Sequence, residues 1–297
     1  MYSSLRAWID LTRFHFAWAW PLLFCSGLAL AYREYGGFAW TTTVTVALIG
    51  LFGFEGGMVL NDIVDRERDT RDIDPSMTRY WRLFGTRPLP LGLITPGRAA
   101  ALVLGFLFVT TALIFTLPPP HSQLVFVIMV FAYCAEIFYQ LKKRQQAWPI
   151  AQLVGRTDFA LFPVAGYLAA GQPDTTALLY FLFFYPFAEA HLAVNDLADI
   201  ANDRAREMAS VTVLHGEHGT AVWILLATII HAGFALLFAA RLGWIARGGF
   251  LLGLLLLTMA NVRIFQVESP KTALAQLPYF HVAMAVYAVS IIADTVL

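Results

Sequence analysis

Apolar stretches of about twenty residues recur nine times along this chain, at 14–31, 40–61, 99–117, 122–141, 149–170, 176–195, 219–240, 244–262 and 277–297. One water-soluble core has no use for so many. Each is long enough to cross a hydrocarbon layer of about 30 Å as an α-helix, with its backbone polar groups satisfied internally. The expected fold class is therefore an all-α integral membrane protein of about nine transmembrane helices. Composition agrees, since 59% of the 297 residues are hydrophobic and only 13% are charged, against about 25% charged in soluble domains. The first apolar run follows Arg6 and Arg13 in the manner of a signal peptide. Its length is closer to a full span, so it reads as the first helix.

Turn chemistry marks the breaks: Tyr35-Gly36-Gly37, Pro118-Pro119-Pro120, Gly171-Gln172-Pro173 and Ser269-Pro270. No polar stretch is long enough to fold by itself, so residues 1–297 form one domain. Lysine and arginine set the orientation. With an even alternation of nine spans, sixteen basic residues fall on the side of the N-terminus and three on the other, Arg156 lying within a span. That bias puts the N-terminal side in the cytoplasm of a multi-pass cell-membrane protein. Zero net charge gives no basic field for nucleic acid. Cys25 and Cys134 lack zinc-site spacing and read as packing residues. Oligomeric state leaves no signal.

The informative polar residues close the second and sixth spans. One reads Asn61-Asp62-Ile63-Val64-Asp65-Arg66-Glu67-Arg68-Asp69, the other Asn195-Asp196-Leu197-Ala198-Asp199-Ile200-Ala201-Asn202-Asp203. Both are NDxxDxxxD, offset by 134 residues, and the same offset relates Glu55 to Glu189. This reads as duplication of a four-helix unit, about 1–148 and 149–262, with an added helix at 277–297, around a central cavity. At about 100° per residue, Asn61, Asp62, Asp65 and Asp69 share one quarter of a helical surface, and the second motif does the same. Crowded carboxylates repel one another unless a cation lies between them. With oxygen ligands only, the pattern suits Mg²⁺ or a similar hard cation. A single such motif is equally a solvated helix end; two copies on one membrane face are not readily explained that way.

These residues resemble the UbiA-type intramembrane prenyltransferases, which have nine helices, an NDxxDxxxD motif ending helix 2 and a second aspartate-rich motif ending helix 6. Arg87-Pro88-Leu89-Pro90-Leu91-Gly92 is similar to that family's RPLPxG segment. Tyr139, Leu141, Lys142, Lys143 and Arg144 match the basic end of its helix 4. Two features depart from it: 17 residues separate Asp69 from Arg87, room for an extra element, and no glycine precedes a TLP segment after Asp203.

The resemblance implies transfer of a prenyl group from an isoprenyl diphosphate to a lipophilic, usually aromatic, acceptor within the bilayer, using two Mg²⁺ ions. Asp65, Asp69, Asp199 and Asp203 would be catalytic. Asn61, Asp62 and Asp196 would join them as metal ligands. Arg79, Arg82, Arg87, Tyr139, Lys142 and Lys143 would hold the diphosphate, with Tyr139 also a candidate for stabilising the allylic cation. Asn195, Glu55 and Glu189 would support the ligands from behind. Arg156 and Asp158 read as intramembrane charges paired within the bundle or at the site; His15, His191 and His231 read as polar packing. Porphyrin or glycerol-lipid acceptors and terpene cyclisation are alternatives on the same fold. A divalent-cation transporter is the rival class, disfavoured because both motifs lie at helix ends and repeat in one orientation.

Overall fold

The computed structural model describes residues 2–297, with side chains from Ser4 onward. Among the described residues every regular element is helical. Eight helices are long and apolar enough to cross a membrane when Phe14–Phe16 is joined to its successor. They are α2 (Ala19–Tyr35), α3 (Trp40–Asp65), α5 (Pro96–Ile114), α6 (His121–Lys142), α9 (Thr175–Ala198), α11 (Val211–Ala239), α12 (Trp244–Gln266) and α13 (Pro270–Val296). Short helices join them: α1 (Tyr2–Leu11), α4 (Ser76–Trp81), α7 (Ile150–Gly155), α8 (Thr157–Leu168) and α10 (Ile200–Ala205).

Local chemistry fixes many of these boundaries. The Thr95, Asp174 and Ser269 side chains accept hydrogen bonds from the backbone N–H three residues on, capping α5, α9 and α13. Pro96 and Pro270 occupy the first turn, where a missing N–H costs nothing. Gly36 ends α2 at φ 74°, a conformation that favours glycine.

Helices α2, α3, α6, α8, α9 and α13 pack in sequence into a closed ring, with α2 also against α8; α5, α11 and α12 lie outside it. At the α2–α8 crossing Gly27 meets the Pro163 carbonyl and Gly166 meets the Phe24 carbonyl, leaving no room for a Cβ on either. Small residues allow such close approach where water offers no driving force between helices. Tyr180, Phe183, Phe184, Phe187, Phe238, Phe250 and Tyr287 form an aromatic core between α9 and the three last helices. Leu104 and Phe108 on α5 face outward, 66% and 75% exposed, as a lipid-facing helix requires.

Three expectations are corrected. The fifth span is not one helix: it divides at Arg156 into α7 and α8. Gly155 lies against the Tyr139 side chain, where an added Cβ would come within 2.8 Å, and Arg156 turns toward Glu136 at 3.6 Å. The first motif is not one continuous helical face, because α3 ends at Asp65 and Asp69 opens a separate 3₁₀ turn to Arg71. The second motif likewise breaks at Asp199, φ −104° and ψ 12°, before α10. The long 61–98 connection does carry an extra element, α4.

Candidate active site

The ends of α3 and α9 deliver both motifs to one cavity of about 250 Å³ inside the helix ring. Asn61, Asp65 and Asp69 line it from one side, Asn195, Asp196, Asp199 and Asp203 from the other, and Arg87, Tyr139 and Lys143 join them. Deeper in the bundle its wall becomes aromatic, with Trp20, Phe54, Tyr133, Phe159 and Phe162.

Four expected site residues stand elsewhere. Asp62, 3% exposed, does not face the cavity; Arg82 holds both its oxygens at 2.9 and 2.7 Å, and Arg13 adds a contact at 2.9 Å. Arg82, 2% exposed, also donates to the Asp10 carbonyl at 2.6 Å and does not line the cavity. Arg79 is exposed and Lys142 half-buried, and neither lines the cavity. The two glutamates do not line the cavity either: Glu55 accepts from Trp20 Nε1 at 3.2 Å, and Glu189 is buried. The helical-arc argument placed Asp62 at the edge of the ligand face; one step of rotation sends it to the arginines instead.

Other residues enter that spacing alone could not reveal. Arg206 stands between the motifs, 3.4 Å from Asp69 and 3.3 Å from Asp199, and also pairs with Asp72 at 2.5 Å. Its one signal is its position three residues after Asp203 on a helical turn. Asn202 ties the halves together: its Oδ1 accepts from the Ile73 and Asp74 N–H groups at 2.9 Å, while its Nδ2 donates to Asp199 at 2.6 Å. Asp10 on α1 accepts from Phe84 N, Thr86 N and Thr86 Oγ1 at 2.7–2.9 Å, fixing the turn that precedes Arg87. His191 lines the cavity, while His231 is a packing residue between the Phe183 carbonyl and Tyr287.

The carboxylates are held by cations. Lys143 Nζ lies 2.8 Å and Arg144 3.2 Å from Asp65, and Arg87 lies 2.6 Å from Asp69 and 2.8 Å from Asp72. Tyr139 has two cations over its ring, Lys143 at 4.7 Å and Arg156 at 4.8 Å, which orients both toward the cavity. Among the described residues no three acidic, histidine or cysteine side chains converge as a ready-made metal site. The donor set nevertheless fits a hard divalent cation. It consists of oxygens, and seven acidic side chains line the cavity against five basic ones. Burial pushes Asp199 up to about 7 against the opposing charge of Arg206, and holds Asp69, against Arg87, and Asp203, against the Ser210 hydrogen bond, above the usual carboxylate range. Such a deficit of positive charge is what a bound cation would relieve.

Similarity to known proteins agrees with this arrangement. The family model described as the UbiA prenyltransferase family matches residues 20–284. A protoheme IX farnesyltransferase of Bdellovibrio bacteriovorus is 28% identical over 235 residues, 78% of this chain and 76% of that one. A 4-hydroxybenzoate octaprenyltransferase of Aeromonas hydrophila is 28% identical over 201 residues, 67% of this chain and 63% of its own. The fold is that of a UbiA homolog from Archaeoglobus fulgidus bound to GPP and Mg²⁺, with a TM-score of 0.71 at 16% identity, covering 97% of this chain and 99% of that one. Two aspartate-rich helix ends meeting cations over one intramembrane cavity, with a family match across most of the chain, lead to one conclusion: this multi-pass membrane protein belongs to the UbiA prenyltransferase family and is a prenyltransferase.

Proposed function

We propose that the protein transfers a prenyl group from an isoprenyl diphosphate to a lipophilic aromatic acceptor inside the membrane, with Mg²⁺ held by both motifs on the cytoplasmic side. The observation that carries this reading is the opposition of Asp65 and Asp69 to Asp199 and Asp203 across one cavity, with Arg87, Lys143 and Arg206 among them. Asn61 and Asp196 complete the ligand set. Bound Mg²⁺ would neutralise the negative charge that collects on diphosphate as the allylic carbon–oxygen bond breaks.

The chain's own groups do the rest. Without substrate the basic side chains occupy carboxylate oxygens; on diphosphate binding Arg87, Lys143 and Arg206 turn to phosphate oxygens, and the freed carboxylates become available to metal. Their fixed positive charge stabilises the leaving group where its charge grows. The wall of Trp20, Phe54, Phe159 and Phe162 excludes water and offers ring faces to the allylic cation. Trp20 and Phe54 are stacked with centroids 3.4 Å apart, a rigid platform at the cavity's apolar end.

The resemblance to a protoheme IX farnesyltransferase supports a second reading in which the acceptor is a porphyrin. The test offers the purified full chain C10, C15 and C20 isoprenyl diphosphates with Mg²⁺, and 4-hydroxybenzoate, protoheme or a glycerol-lipid alcohol as acceptor. A prenylated phenol is the expected product. Turnover of protoheme alone selects the porphyrin reading. Mg²⁺ flux into vesicles with no transfer to any acceptor overturns both.

A further inference from the structure

Transfer to a ring carbon or a hydroxyl leaves one proton to be removed from the acceptor, a role that the cations placed to hold diphosphate cannot take. A line of three side chains reaches from the cavity toward the inner loop. His191 on α9 lines the cavity beside the aromatic wall, and its Nε2 lies 3.0 Å from Nε2 of His281 on α13. His281 Nδ1 lies 2.8 Å from the hydroxyl of Tyr80 on α4, a half-buried residue outside the spans. Two facing ring nitrogens at 3.0 Å require that one carry the proton and the other accept it. Among the described residues His191 Nδ1 has no hydrogen-bond partner, while Asn195 Nδ2 donates to the His191 carbonyl at 2.8 Å and stands 3.4 Å from Nε2, farther than His281 does.

We propose that His191 is the general base of the transfer reaction, taking the acceptor's proton at Nδ1, with His281 and Tyr80 as a relay that removes it. The inference rests on the prenyl-transfer reading above. In the step, the acceptor's electron pair forms a bond to the allylic C1 while the C1–oxygen bond breaks and diphosphate leaves with its electrons. The acceptor, now cationic, gives its proton to His191 Nδ1. The proton on His191 Nε2 passes to His281 Nε2, that on His281 Nδ1 to the Tyr80 oxygen, and the Tyr80 hydroxyl releases one to the loop side. Each group ends with the number of protons it began with. A neutral imidazole is base enough, because positive charge on the attacked acceptor makes its proton strongly acidic.

Position separates this group from the rest of the site. His191 lies five residues, about 7.5 Å of helix rise, deeper than Asp196. It stacks on Phe159 and Phe187, centroids 6.2 and 6.4 Å away, which fix the ring plane. Asp158 and Glu136 line the same cavity and are the competing bases. Glu136 already accepts from Asn61 at 2.9 Å and Gln140 at 2.5 Å, and Asp158 from the Phe159 N–H.

The experiment uses the full chain with Mg²⁺, geranyl diphosphate and 4-hydroxybenzoate, unlabelled and ring-deuterated, and reads the ratio of transfer to acceptor-free diphosphate release. In His191→Gln the ratio should fall at least about 100-fold, the scale of general-base catalysis, with a ring-deuterium isotope effect larger than in the wild type. His281→Asn and Tyr80→Phe should lower the ratio by about tenfold. A ratio within about threefold of wild type overturns the proposal, as does the same split in Asp158→Asn or Glu136→Gln in place of His191→Gln. If 4-hydroxybenzoate is not prenylated, the acceptor-free products decide. A base facing the cation yields some C10 alkene beside the alcohols, and His191→Gln should remove it. An alkene share that is nil in the wild type, or equal in both, contradicts the assignment. Absence of any Mg²⁺-dependent diphosphate release contradicts the prenyl-transfer reading itself, a separate result.

Discussion

Lys143 Nζ lies 2.8 Å from Oδ2 of Asp65, so a cation expected to hold diphosphate and a carboxylate expected to hold metal occupy each other. The two charges neutralise each other before substrate arrives, inside a cavity that still holds more acidic than basic side chains. Lys143→Met should therefore act on both partners. We expect the KM for geranyl diphosphate to rise by about tenfold or more, since a charged hydrogen bond contributes about 1.5–3 kcal/mol. Tight Mg²⁺ binding without diphosphate should become easier to detect in the variant. Steady-state kinetics and Mg²⁺ titration check both effects.

Asp62 and Arg82 form a buried pair outside the cavity lining. Breaking such a pair by removing one partner costs about 3–5 kcal/mol. Arg82→Met and Asp62→Asn should lower the melting temperature in detergent sharply, while whatever folded protein remains keeps its Mg²⁺ requirement. Loss of metal dependence with an unchanged melting temperature would return Asp62 to the ligand set.

Asn202 joins the 73–74 backbone to Asp199. Asn202→Ala leaves two backbone N–H groups without their acceptor, at a cost of about 1–3 kcal/mol each where buried. The turn carrying Asp69 and Asp72 should loosen, seen as faster backbone hydrogen exchange over 69–75 and a higher KM for geranyl diphosphate.

At the α2–α8 crossing, Gly166→Ala places a methyl against the Phe24 backbone, which cannot move aside as a flexible side chain can. Overpacking of this kind costs about 1–3 kcal/mol. The expected result is a lower melting temperature with little change in catalysis by the surviving fold. The same change at Gly105, where nothing lies within 4 Å of an added Cβ, should be silent.

Much of this arrangement is legible in the sequence because a membrane imposes long apolar runs, and because glycine, proline and capping residues punctuate them. The fifth span shows the limit. Gly155, Arg156, Thr157 and Asp158 interrupt its apolar run, yet a short polar patch inside a span does not by itself end a helix, and the tertiary neighbours Tyr139 and Glu136 give the reason to divide it there. In the site, spacing brought out Asp65, Asp69, Asp199 and Asp203, whose pattern is local. It could not show that Asp62 and Arg82 pair away from the cavity lining, because their partners Arg13 and Asp10 lie on a segment distant in sequence. It did not bring Arg206 and His191 to the cavity lining, because neither repeats in the other motif, and a histidine in an apolar helix has no distinguishing period.

The account depends on paired carboxylates acting together on a diphosphate. The most direct measurement is Mg²⁺-dependent release of inorganic diphosphate from geranyl diphosphate by the full chain in nanodiscs, compared among wild type, Asp65→Asn and Asp199→Asn. The prediction is release that stops when Mg²⁺ is chelated and falls at least about 100-fold in each variant, a loss of about 2.7 kcal/mol or more of transition-state stabilisation. Release that survives chelation, or that either variant leaves intact, would contradict it.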